Sequence, residues 1–159
     1  RIYRQYKKTN SVQVLTLNSE LQRFIDAQNG EIVGVSSYED AVIELENGQK
    51  KTHWMWFVVP QLSGLGRSER AIYYGIHDQK EAYAYLNDAI LKKRLEKIIT
   101  ITLTLETNDP VLVFGAVDAE KFQASLTLFS QISSSMLYKQ ALDKYFNGQK
   151  HVKTLALLQ

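Results

Sequence analysis

Only one stretch of this chain has the residue pattern of a good β-strand, and a strand without a partner cannot satisfy its own backbone. That stretch is Ile98–Leu105, where apolar residues alternate with β-branched threonines. No second segment of similar quality offers it a ladder of N–H and C=O groups. Ile98–Leu105 is therefore expected to continue the helix before it, and the fold class to be all-α.

The rest of the chain supports this expectation, because its apolar residues recur at helical spacing between capping and stop signals. Leu17–Asn29 places Leu17, Leu21, Phe24, Ile25 and Gln28 on one face, with Asn18 as N-cap and Gly30 as stop. Ser37–Asp40 opens a second helix as a capping box, with Asp in place of the usual Glu or Gln. Tyr38, Ala41, Val42 and Leu45 face inward there, and Gly48 ends it. Ser68–Ile76 reads as a third helix, with Ala71, Ile72 and Tyr74 or Gly75 inward. Asp78 caps Gln79–Leu86, and Asn87 or Asp88 starts the longest helix, striped by Leu91, Leu95, Ile98, Ile99 and Leu103. Pro110–Phe114 carries proline at the favoured first position. Asp118 is read as the cap of Ala119–Ile132, and Ser135–Phe146 and Val152–Leu158 follow. The expected architecture is a single compact globule of seven or eight short helices over residues 17–159, not an up-and-down bundle. Residues 1–16 form a basic appendage before it.

A chain of 159 residues, 45% of them hydrophobic, is long enough to bury a core without covalent staples. The absence of cysteine excludes disulfides, iron–sulfur clusters, a thiol nucleophile and thiolate zinc. The three histidines, at 53, 77 and 151, are too scattered for a metal motif, so neither metal nor cofactor is expected. Net charge is +2, but Arg1, Arg4, Lys7 and Lys8 supply four positive charges, which leaves the remainder at −2. That balance argues against a nucleic-acid-binding face. The arm reads as a solvated terminus, or as a contact for an anionic partner. A first residue of Arg rather than Met is read as trimming. The most apolar runs, Trp54–Val59 and Ile98–Leu105, fall far short of the ~20 residues of a membrane span. With no signal-peptide pattern, the expected compartment is the cytoplasm.

One segment does not read as plain scaffold. Lys50–Ser68 holds both tryptophans, His53, Pro60-Gln61 and the loop Gly64-Leu-Gly-Arg-Ser68. In the structural reading it is an aromatic hub passing through the core. In the functional reading it is a pocket wall. Trp54 or Trp56 is then a stacking plate, Lys50, His53 and Gln61 are polar handles, and Arg67 and Ser68 form an anion-receiving loop before a helix. His53 is the candidate catalytic group, as the one able to titrate near neutrality. Lys121 and Ser125, one turn apart, are further candidate lining residues. The loop lacks the third glycine of a dinucleotide fingerprint and the Lys-Ser/Thr of a P-loop. There is also no Gly-x-Ser-x-Gly elbow and no His-Glu-x-x-His.

The pieces His53-Trp-Met-Trp-Phe57, Pro60-Gln61 and Gly64-Leu-Gly-Arg-Ser68 resemble a known family. So do Leu21-Gln-Arg-Phe24, Tyr74-Gly-Ile76, Glu81–Leu86, Ser125–Phe129 and Leu142–Phe146. It is a family of small, mostly helical bacterial domains of unknown function, sometimes mislabelled calpastatin. The resemblance runs from about Leu17 to the end and implies a compact all-α fold with no established activity. The arm and Gly30–Val35 depart from the pattern. Two functional expectations follow. The first is a non-enzymatic interaction module, with a protein partner. The second is binding or hydrolysis of an anionic, nucleotide-like or ADP-ribose-like small molecule around residues 50–68.

Overall fold

In the computed structural model, residues 20–159 are described. The basic arm over residues 1–16 and the Asn18 cap lie outside the described residues. Helix α1 (residues 20–28) buries Leu21, Phe24, Ala27 and Gln28 and stops where Gly30 takes a φ of 82°. Helix α2 (Tyr38–Glu46) starts on a complete capping box. Asp40 N–H donates to Ser37 Oγ at 3.2 Å, and Ser37 N–H donates to Asp40 Oδ2 at 2.9 Å. Then come α3 (Met55–Val58), α4 (Glu69–Tyr74), α5 (Gln79–Asn87), α6 (Ala89–Thr104) and α7 (Pro110–Phe114). The last three are α8 (Ala116–Ile132), α9 (Leu137–Phe146) and α10 (Val152–Leu157).

These are ten helical stretches among the described residues, more than the seven or eight expected. One-turn pieces such as α3 are too short to show a period. The described residues contain no strand, only an isolated bridge between Leu62 and Ile76. The strand-like run is helical through Thr104, as expected. Its threonines turn their hydroxyls back onto the helix, Thr102 to Ile99 O at 2.6 Å and Thr104 to Ile101 O at 2.7 Å.

Two expected details are corrected. Asp118 does not cap α8, which starts two residues earlier behind Gly115 at φ 82°; Asp118 lies in the first turn, with its carboxylate free to pair. Ile72 is 61% exposed, because α4 is only six residues long and seats Tyr74 instead.

Helix α8 runs through the centre, buried continuously from Ala124 to Phe129, with α5, α7, α9 and α10 packed on it. A relay of ring contacts, Tyr74–Phe24–Tyr85–Phe129–Tyr138, ties α4, α1, α5, α8 and α9 together at centroid distances of 5.2 to 6.0 Å. Tyr85 and Tyr138 are held above the ordinary tyrosine range by burial. One buried ion pair crosses this core. Arg23 meets Glu81 at 2.9 Å, and the pair is fully satisfied. Arg23 also donates to the carbonyls of Gly75 and Tyr73, and Glu81 accepts His77 N–H.

Candidate functional site

The two tryptophans of Lys50–Ser68 have opposite fates, decided by the one-turn helix between them. Trp54, just before α3, is fully buried, and its indole N–H donates to Glu44 Oε1 at 2.9 Å. Glu44 organises the loop around itself. It also accepts from the N–H groups of Lys51 and Thr52, at 2.6 and 2.9 Å, and from the Thr52 hydroxyl. Burial pushes the Glu44 carboxyl up, but these donors outweigh it and hold the pKa below its usual value. Lys50 is also drawn inward. Its ammonium meets Asp118 Oδ2 at 2.8 Å, donates to Thr52 O at 2.6 Å and sits 5.1 Å from the Trp54 ring. Lys50 N–H donates to Val113 O at 2.7 Å, which fastens this loop to α7.

Trp56, within α3, is only half-buried and presents its ring to cations. Lys121 Nζ and the Arg70 guanidinium each lie 5.2 Å from its centroid. The exposed His53 ring is 6.5 Å away, tilted by 34°. Asp118 bridges the two halves, because its second oxygen is 3.5 Å from Lys121. The cavity beside Trp56, lined also by Gln61, Ala71, Gly75 and Lys121, measures about 10 Å³, room for a single water. Among the described residues the buried Trp56 N–H has no hydrogen-bond partner.

Both glycines of the Gly64–Ser68 loop have backbone reasons to be there. Gly64 adopts φ 97°, and a Cβ on Gly66 would lie 2.6 Å from the Ala71 Cβ. Ser68 uses its hydroxyl to cap α4, accepting Ala71 N–H at 3.1 Å. Arg67 is exposed and forms no ion pair among the described residues.

The structure thus gathers Trp56, His53, Gln61 and Lys121 on one face, with Arg70, which the sequence reading had not singled out. Lys50 and Trp54 lie behind it in the scaffold. Ser125, at 1% exposed, points into the core one turn beyond Lys121. Asp118 and Glu44 were missed as organisers. Asp118 had a sequence signal in its three-residue spacing from Lys121, and Glu44 had none. Among the described residues no cluster of His, Cys, Asp and Glu is arranged to hold a metal ion. None of their helices is long and apolar enough to cross a membrane.

A family model described as "Protein of unknown function (DUF1810)" matches residues 18–158. The chain belongs to the DUF1810 family. The fold has been seen in an experimental structure, the conserved hypothetical protein Rv1873 from Mycobacterium tuberculosis. That chain is 37% identical to this DUF1810 member and superposes with a TM-score of 0.82. The alignment covers 87% of this chain and 96% of the mycobacterial one. No curated protein matches. Family membership and this structural likeness agree with the helical fold and assign no activity.

Proposed function

We propose that this chain is a non-enzymatic binding module that meets an acidic partner protein through the face centred on Trp56. The observation that carries the reading is one indole flanked by two cations, Arg70 and Lys121, each 5.2 Å from its centroid. His53 and Arg67 add exposed basic groups on the neighbouring loops. Aromatic and arginine side chains at a partly open surface are the composition of interface centres. Asp118 offsets part of the charge, but it is shared between Lys121 and the buried Lys50. Three of the groups singled out in Lys50–Ser68 are committed to scaffold bonds, Lys50 to Asp118, Trp54 to Glu44 and Ser68 to its helix, while His53 and Arg67 stay exposed. The 10 Å³ cavity beside Trp56 does not take a nucleotide, so a ligand of that class would have to lie across the face.

The test reads tryptophan emission while poly-glutamate or adenosine monophosphate is titrated in. Trp54 is sealed, so the response comes from Trp56. Poly-glutamate is expected to change the emission, with strong weakening by salt. The double change Arg70→Ala and Lys121→Ala should abolish that response. A parent protein indifferent to poly-glutamate overturns the reading, and a response to the nucleotide alone replaces it with the small-molecule one.

A further inference from the structure

Arg94 stands on α6 at the edge of an open cleft of about 600 Å³, within the ~300–1,000 Å³ range of small-molecule sites. The cleft lies between the end of α1, the start of α2 and one side of α6. Every group that holds the arginine is neutral. Nη1 donates to Gln28 Oε1 at 3.2 Å, and Nη2 donates to Asn29 Oδ1 at 2.9 Å. The guanidinium lies 5.4 Å from the Tyr38 ring centroid, and the Tyr38 hydroxyl donates to Arg94 O at 3.2 Å. No carboxylate among the described residues pairs with it, and residues 1–19 contain neither Asp nor Glu.

The structural clamp of this same fold, Arg23, is matched to a carboxylate, Glu81, in a strong charge-assisted pair. Arg94 is positioned as firmly but keeps its charge. Gln28 is 2% exposed, and its amide is oriented from within, because Nε2 donates to Phe57 O at 2.7 Å. A carbonyl only accepts, so the Gln28 oxygen must face Arg94. The side chain is thus pre-set for an incoming acceptor, which lowers the ordering cost of binding. Lys97, one turn along α6, adds a second cation to the lining and has no ion-pair partner among the described residues. Glu39 is the acid of this lining; the neighbouring Asp40 carboxylate is spent on the α2 capping box. Val42 and Ile43 supply an apolar wall.

We propose that this cleft binds a small organic oxyanion, a carboxylate or phosphate monoester, with Arg94 as its principal contact and Lys97 as support. The apolar part of the ligand would lie on Val42 and Ile43. This site is separate from the Trp56 face and does not rest on it.

The experiment is thermal melting of the full chain with millimolar inorganic phosphate, adenosine monophosphate or succinate, each against sodium chloride at matched ionic strength. At least one of the three is expected to raise the Tm by about 2–4 °C, the shift expected for a chain this size when the probe is several-fold above its dissociation constant. Which one responds assigns the oxyanion. Arg94→Gln should abolish the shift and Lys97→Gln should reduce it. The Arg70→Ala, Lys121→Ala protein should keep it, so that failure here and failure at the Trp56 face are told apart. No shift with any probe overturns the proposal, as does a shift that survives Arg94→Gln. If Arg94→Gln does not fold, Lys97→Gln decides, and an undiminished shift there overturns it.

Discussion

The Trp54 side of Lys50–Ser68 and the Arg94 cleft use the same ingredients, a cation over an aromatic ring with polar groups around it, and arrange them for opposite ends. Around Trp54 the account is closed: Lys50 has Asp118, the indole has Glu44, and Glu44 is saturated by its own loop. Around Tyr38 it stays open, with Arg94 fixed by two amides and a ring and no acid to cancel its charge. Neutralised charge holds a loop in place at little net gain. Positioned charge left uncancelled is available to something else. The Trp54 side of the segment richest in functional-looking residues is therefore scaffold, and the less conspicuous Arg94 cleft is the one proposed as a receptor.

The largest effect should come from the closed side. Trp54→Ala removes a fully buried indole and leaves Glu44 short of a donor, so it should cost about 3–5 kcal/mol in urea unfolding. A loss below about 1 kcal/mol would mean that Trp54 is not scaffold, and the contrast would fail. Glu44→Gln should cost less, about 2 kcal/mol, since a carboxylate accepting several hydrogen bonds is replaced by an amide that cannot accept them all.

Glu44→Gln also carries a pH signature whose sign is determined. The folded pKa of Glu44 lies below its unfolded value, so its contribution is present above about pH 4.3 and is lost as pH falls through the folded pKa. Acid titration of stability should therefore show a steeper decline in the parent than in Glu44→Gln below about pH 4. Equal slopes would mean that the donors around Glu44 do not favour its charged form. At the other extreme Tyr145, pushed up to about 12 by burial, gives stability that is whole below about pH 10 and is lost as pH rises toward 12.

How much of this was legible depends on how far apart the interacting residues lie in the chain. The helix starts at Ser37, Ser68, Asp78 and Asp88 were readable because a cap bonds to a backbone N–H three residues on. The helical state of Ile98–Thr104 was readable by elimination, since no partner strand existed. Asp118 was misread because a local rule favoured capping, while Lys50, 68 positions earlier, claimed its carboxylate. The Arg94 cleft joins residues 56 to 66 positions apart, Tyr38 and Gln28 with Arg94, and each looks ordinary in its own helix. Trp54 and Trp56 were conspicuous by type, but only packing decides which is sealed and which faces out.

On the open side, Tyr38→Leu should separate binding from stability. It removes the ring under Arg94 and one hydroxyl bond to a backbone carbonyl, at a cost of about 1 kcal/mol. The same change should markedly reduce the oxyanion-dependent shift in Tm, because Arg94 loses one of its three supports. A fully retained shift would remove Tyr38 from the site and leave the two amides as sufficient positioning.

The smallest effects belong to the Gly64–Ser68 loop, and they test whether the contrast places the anion site correctly. Ser68 accepts Ala71 N–H as the cap of a six-residue helix, so Ser68→Ala should cost about 1 kcal/mol and leave ligand responses unchanged. Arg67→Ala removes an exposed side chain with no ion pair among the described residues, and stability should move by no more than about 0.5 kcal/mol. If the uncancelled charge that matters is Arg94, the phosphate-, nucleotide- or succinate-dependent shift must survive both changes intact. If Arg67→Ala abolishes the shift while Arg94→Gln preserves it, the loop is the anion receiver. The roles of the two regions are then exchanged: Arg67 becomes the positioned cation, and Arg94 becomes a clamp between α1 and α6 that happens to lack a carboxylate.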